Sequence, residues 1–128
     1  MNDEQSTPRP YSEWRTHEAA RAEDAASTFG FHLLFHCREQ ALAQAEEHMT
    51  TPELREAIEA AVDTALHNLC DLLEGYWPTM AGPSNPVSYS LVVNVLDEFA
   101  SPVERIAISP AALDLPVGYW KWRDGEFR

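Results

Sequence analysis

The sequence predicts an α+β fold: an antiparallel helical hairpin, its long first helix bent, packed on one face of a small three-stranded antiparallel sheet. Three observations carry this. Residues 12–77 are rich in Ala, Glu, Gln and Leu and hold one proline, a composition that favours helix. Gly82, Pro83 and Pro86 then punctuate the chain. Beyond them the apolar residues alternate with a period of two, the pattern of a strand with one face on a core.

Each element has its own signal. Residues 1–11 are polar, carry Pro8 and Pro10, and read as a flexible tail ahead of a single domain at 12–128. The first helix is expected over 12–49, bent or divided near Gly30. Phe31, Phe35, Leu42, Ala45 and Met49 form its apolar stripe at 100° per residue. Phe29 and Leu33 fall off that stripe, which makes them candidates for a second contact surface. The second helix, 52–74, is bounded at both ends: Thr51 as N-cap with Pro52 at the first helical position, and Gly75 with Pro78 beyond. Its apolar stripe is Leu54, Ile58, Val62, Ala65, Leu69, Leu72 and Tyr76, and that face is expected to meet the first helix. Strands follow at 87–96 and 103–108, where Leu91, Val93, Val95, Ile106 and Ile108 share the inward face. A third strand is expected at 117–123, closed by the turn pair Asp124-Gly125.

The chain has 128 residues, enough for one core and too few for two. Its net charge of −12 argues against direct nucleic-acid binding, because that affinity rests on Lys and Arg displacing counterions from phosphates. The charge is unevenly placed. Residues 1–80 hold five basic against fifteen acidic side chains, net −10, and the rest four against six, net −2. No apolar run is long enough for a membrane span. With two cysteines and no charged leader before an apolar run, the expectation is a reduced cytoplasmic protein. Eight Arg to one Lys points to a bacterial source.

The candidate chemistry is sparse. Phosphate-binding glycine motifs and nucleophile elbows are absent from the sequence. His32 and His36 in "FHLLFHC", with His67 and Cys70 in "LHNLCD", have the composition of a metal site spread over two helices. On the helical wheel both pairs lie away from the predicted stripes, so within one chain they should diverge, and a site would need two chains. "GYWKWRDGEFR" supplies Tyr119, Trp120, Trp122 and Arg123, the residue types that anchor protein interfaces. The reading that follows is a non-enzymatic protein-interaction module, of inhibitor or immunity type, without cofactor. It binds another protein and forms a homodimer through a spare sheet edge. The alternatives are a metal- or small-molecule-binding protein whose His and Cys residues meet at a dimer interface, and an acidic nucleic-acid mimic.

Overall fold

A computed structural model describes residues 13–77, 79–109 and 114–127; the expected tail at 1–11 lies outside them. The first helix, α1 (Glu18–His32), runs on through a π-helical turn (Leu33–Arg38) into α2 (Glu39–Gln44), and a 3-10 turn (Glu46–His48) leads out. The helix expected over 12–49 therefore starts later, and it widens rather than breaks. The Glu39 N–H reaches back five residues to the Leu34 carbonyl, the spacing of a π turn. Gly30, the expected bend, sits within regular helix, buried against Trp122, and a Cβ there would overlap the indole ring. Glycine at this position allows a close approach between helices rather than a turn.

The second long helix, α3 (Pro52–Leu73), starts and stops where its sequence indicates. The Thr51 hydroxyl accepts the Leu54 N–H at 3.1 Å, satisfying one of the open donors of the first turn. At the other end Gly75 takes φ +80°. Its N–H donates to the Leu72 carbonyl and the Tyr76 N–H donates to that of Asp71, a closure that favours glycine.

Strands β1 (Thr79–Gly82) and β2 (Asn85–Val87) form one antiparallel pair, and β3 (Leu91–Leu96) and β4 (Pro102–Ser109) form another. Among the described residues the sheet structure is thus two pairs in place of three strands, and the strand expected over 87–96 is divided, with Val87 in the first pair and 91–96 in the second. In the second pair Val93 lies opposite Ile106 and Asn94 opposite Arg105. Leu91, Val93, Ile106 and Ile108 join the core, as their alternation requires.

The expected third strand is a helix, α4 (Leu115–Arg123). Three features decide it. The Asp114 carboxylate accepts the Val117 N–H at 3.3 Å and Pro116 stands in the first turn. Leu115, Tyr119 and Trp122, spaced for one helical face, are all buried. Gly125, at φ +89°, donates to the Trp122 carbonyl, so the Asp124-Gly125 pair closes a helix and not a hairpin.

α1 is the centre of the packing, with β4 and α4 against it and α4 also against α3. Ala25 and Ala26, both fully buried, keep its inner surface low enough for that contact. Around them lie Leu33, Leu34, Cys70, Ile108, Leu115, Tyr119 and Trp122. Each large apolar side chain so buried contributes about 2 kcal/mol relative to exposure. Phe29 stands edge-on to Trp122 with ring centroids 6.1 Å apart, and Leu33 is buried. Phe31 and Phe35 meet Phe127 at 5.9 and 6.2 Å. The first helix is apolar on more than one side because the C-terminal segment covers what its first stripe leaves open. Arg21 ties α1 to β4 through Glu104, and Arg15 binds the fully buried Asp24. Among the described residues no helix is long and apolar enough to cross a membrane.

Candidate protein-binding surfaces

The side of α3 that faces inward is not its apolar stripe. Asp63 and Cys70 are buried, with Leu66 and Leu73 packed beside them, whereas the sequence places Asp63 and Cys70 outward with His67. The reason is the company Asp63 keeps. Its carboxylate accepts from Arg38 Nε at 2.7 Å, from Arg123 Nε at 3.0 Å and from the Tyr119 hydroxyl at 2.6 Å. Two guanidiniums and a phenol from elements 25 to 60 residues away supply what water would have supplied, and such charge-assisted bonds are the strong ones. Burial alone would raise the Asp63 carboxyl, but the bonds from Arg38 and Tyr119 outweigh it and hold the group below the usual carboxylate range. The Tyr119 phenol is pushed upward, first by burial and then by its bond to Asp63. Cys70 is pushed up to about 12 by burial, reinforced by Asp71 and Glu74, which makes it a poor nucleophile or ligand in the folded chain.

Above this network lies an exposed corner. Trp120 stacks on His67 with ring centroids 5.2 Å apart and planes 29° from parallel. The Arg123 guanidinium lies 6.0 Å from the Trp120 ring centre, and His67 Nδ1 is 3.7 Å from the Asp71 carboxylate. The structure thus gathers Tyr119, Trp120, Arg123 and His67. Trp122 points the other way, into the core against Gly30 and Gly118, and Phe29 and Leu33 belong to that core as well. His32 and His36 stack on each other at 5.0 Å, both exposed. Among the described residues no three His, Cys, Asp or Glu side chains are grouped to hold a metal ion.

The larger surface is one that sequence reasoning assigned to the core. Of the apolar stripe of α3, Leu54, Ala65 and Leu69 are exposed, as is Ala61 beside them, and Ile58, Val62 and Leu72 are half-buried. Beyond the helix Tyr76, Trp77 and Met80 are exposed too. On the helical wheel Arg55, Glu56, Glu59 and Asp63 all fall on the opposite half, toward the rest of the chain. The outward half carries no charge between Glu53 and Asp71. This inversion had a faint signal in the sequence: a helix whose carboxylates gather on one side needs cations on the element it faces, and Arg38 and Arg123 were available.

No family model matches the chain, and no curated protein or solved structure matches it.

Proposed function

We propose that this chain is a non-enzymatic protein-interaction module, of inhibitor or immunity type, which docks its partner on the outward face of α3 and works as a homodimer. One observation carries the reading. A helix that could have buried Leu54, Ala65 and Leu69 presents them to solvent, leaves Ile58 and Leu72 half covered, and spends its inward side on a buried carboxylate network. An uncharged apolar helix face of this length on an acidic protein is a surface for a partner. The Trp120–His67–Arg123 corner supplies a second, pre-organised anchor of the kind that dominates interface energetics.

The two alternatives have less behind them. For a metal site, His32 and His36 stack on one another, Cys70 is buried, and no three candidate ligands are grouped within one chain among the described residues. For a nucleic-acid mimic, Asp24, Asp63 and Glu104 are turned onto Arg15, Arg38 with Arg123, and Arg21, instead of forming an open row of charge.

The test is the double variant Leu54→Gln/Leu69→Gln. Substitutions on a free surface change stability by about 0.5 kcal/mol or less, so the variant should melt with the parent while losing the protein that the parent retains from a lysate of its source. A fall in Tm of more than about 10 °C would mean the face is packed, and the reading would fail.

A further inference from the structure

The β3–β4 pair has two edges, and only one is guarded. β4 carries Pro102, Glu104 and Arg105 and has α1 packed against it. β3 reads "LVVNVL", with no proline and no charge, and β4 is its only partner strand among the described residues. Alternate N–H and C=O groups along β3 therefore face outward without a strand to receive them. Sheets ordinarily blunt such an edge with Lys, Pro or a covering element. The bare edge also lies at the end of a charge-free stretch, since residues 75–96 contain no Asp, Glu, Lys or Arg in a chain of net charge −12. Beside β3, between the strand and α1, an open groove of about 590 Å³ is lined by Glu13, Trp14, Arg21, Thr28, Val93, Asn94 and Val95. The Thr28 hydroxyl, buried in that wall, has no hydrogen-bond partner among the described residues.

We propose that β3 pairs antiparallel with β3 of a second copy, joining two two-stranded sheets into one of four strands with order β4-β3-β3-β4. The proposal rests on the homodimer reading above and names its surface. A two-fold axis normal to the sheet keeps like faces together only when the register centres on a residue. Centred on Asn94, Val93 meets Val95 of the second copy, Val92 meets Leu96, and the two Asn94 side chains meet each other. Over residues 92–96 every pair across the seam is then apolar or amide, and such pairs are what stabilise a sheet; only at the two ends does Leu91 meet Asp97 of the second copy.

Charge selects the occupant. Two copies of an acidic protein repel each other, and within a Debye length of about 8 Å only the local charge matters, so the uncharged edge is where a second copy approaches at least cost. Pairing also places the second β3 beside Val93 and Val95, at the open side of the groove. It relieves the marginal stability of a lone two-stranded sheet as well, while leaving the outward face of α3 free for another protein.

The experiment is sedimentation equilibrium of the full chain over a concentration series, for the parent and two variants. Asn94→Asp/Leu96→Asp puts carboxylates on exposed positions along the seam. The new carboxylate at position 94, opposite Arg105, also gains a favourable cross-strand neighbour within the monomer, so the fold is retained, and unchanged circular dichroism will verify it. The parent should be dimeric and this variant should dissociate at least about tenfold more readily, since like charges placed opposite each other oppose pairing. Leu69→Glu, on α3, should leave the dimer unchanged. A parent that stays monomeric at every concentration overturns the proposal. So does a dimer that the β3 variant leaves intact, whether or not Leu69→Glu dissolves it; dissolution by Leu69→Glu would make the outward face of α3 the surface between two copies, whereas an intact dimer in both variants would leave that face free for another protein.

Discussion

Replacing Asp63 by Asn keeps the size of the side chain and removes its charge, and the structure fixes what that should cost. The carboxylate is almost completely buried and serves two guanidiniums and a phenol. An amide can accept through one oxygen only, and its NH2 group would face donors. Arg38, whose own side chain is 13% exposed, would lose its buried partner and keep only the exposed Glu39 carboxylate, 2.7 Å from Nη1. Removing one member of a buried ion pair costs about 3 kcal/mol or more. At an unfolding entropy of about 2.1 cal/mol/K per residue, the 128-residue chain should melt about 11 °C lower. The pH profile should change with it. Because the folded-state carboxyl is held below its ordinary value, its contribution is present above about pH 4 and is lost as pH falls through the lower, folded value. Asp63→Asn should remove that part of the acid-side slope. Thermal unfolding followed by circular dichroism at neutral and acid pH reads both effects. A variant that melts within about 2 °C of the parent would refute the buried network, and with it the orientation of α3.

Three further outcomes follow from the same packing. Gly30→Ala drives a methyl group into the Trp122 indole and should cost about 2 kcal/mol or more by overpacking, with part of the loss recovered in the background of Trp122→Leu; equilibrium denaturation of the four proteins measures it. Trp120→Ala removes a side chain that is 45% exposed and should change stability by less than about 1 kcal/mol, whereas Trp122→Ala should cost about 3 to 5 kcal/mol. On the alkaline side, both the Cys70 thiol and the Tyr119 phenol bind their protons more tightly when folded. Stability should therefore fall as pH rises above the ordinary thiol value of about 8.5 and again above the ordinary phenol value of about 10. Cys70→Ala should flatten the first part of that fall and Tyr119→Phe the second.

The parts of this fold that the sequence makes readable are those set by local chemistry. Thr51, Pro52 and Gly75 bound α3 because caps act within one turn, and the alternation of Leu91, Val93, Ile106 and Ile108 identifies a strand pair and its inner face. The parts it hides depend on distant partners. A helical wheel orders the residues of α3 around an axis but says nothing about which neighbour lies on which side. Asp63 turns inward because Arg38, Tyr119 and Arg123 converge on it from other elements. The last helix was obscured by a coincidence of periods: Tyr119, Trp120, Lys121 and Trp122 alternate as a strand would, while Leu115, Tyr119 and Trp122 repeat as a helix does. Asp114, Pro116 and Gly125, a cap, a first-turn proline and a helix stop, were the decisive local signals. Gly30 shows the same limit, since a close approach and a chain break both call for glycine and only the position of Trp122 separates them. Of the candidate site residues, Tyr119, Trp120 and Arg123 lie together with His67, which the sequence groups with His32, His36 and Cys70 instead, and the α3 face stayed hidden because it resembles a core.

The central claim, that α3 turns Asp63 and Cys70 inward and its Leu- and Ala-rich face outward, can be tested by thiol labelling of the native chain. Cys37 is exposed and Cys70 is buried, and Ala61 lies in the middle of the outward face. With a small aqueous thiol reagent, the parent should label at Cys37 alone, and an Ala61→Cys variant should label at residues 37 and 61 with Cys70 still protected until denaturant is added. Rapid labelling of Cys70 with protection at residue 61 would contradict the account and restore the packing that the apolar stripe alone predicts.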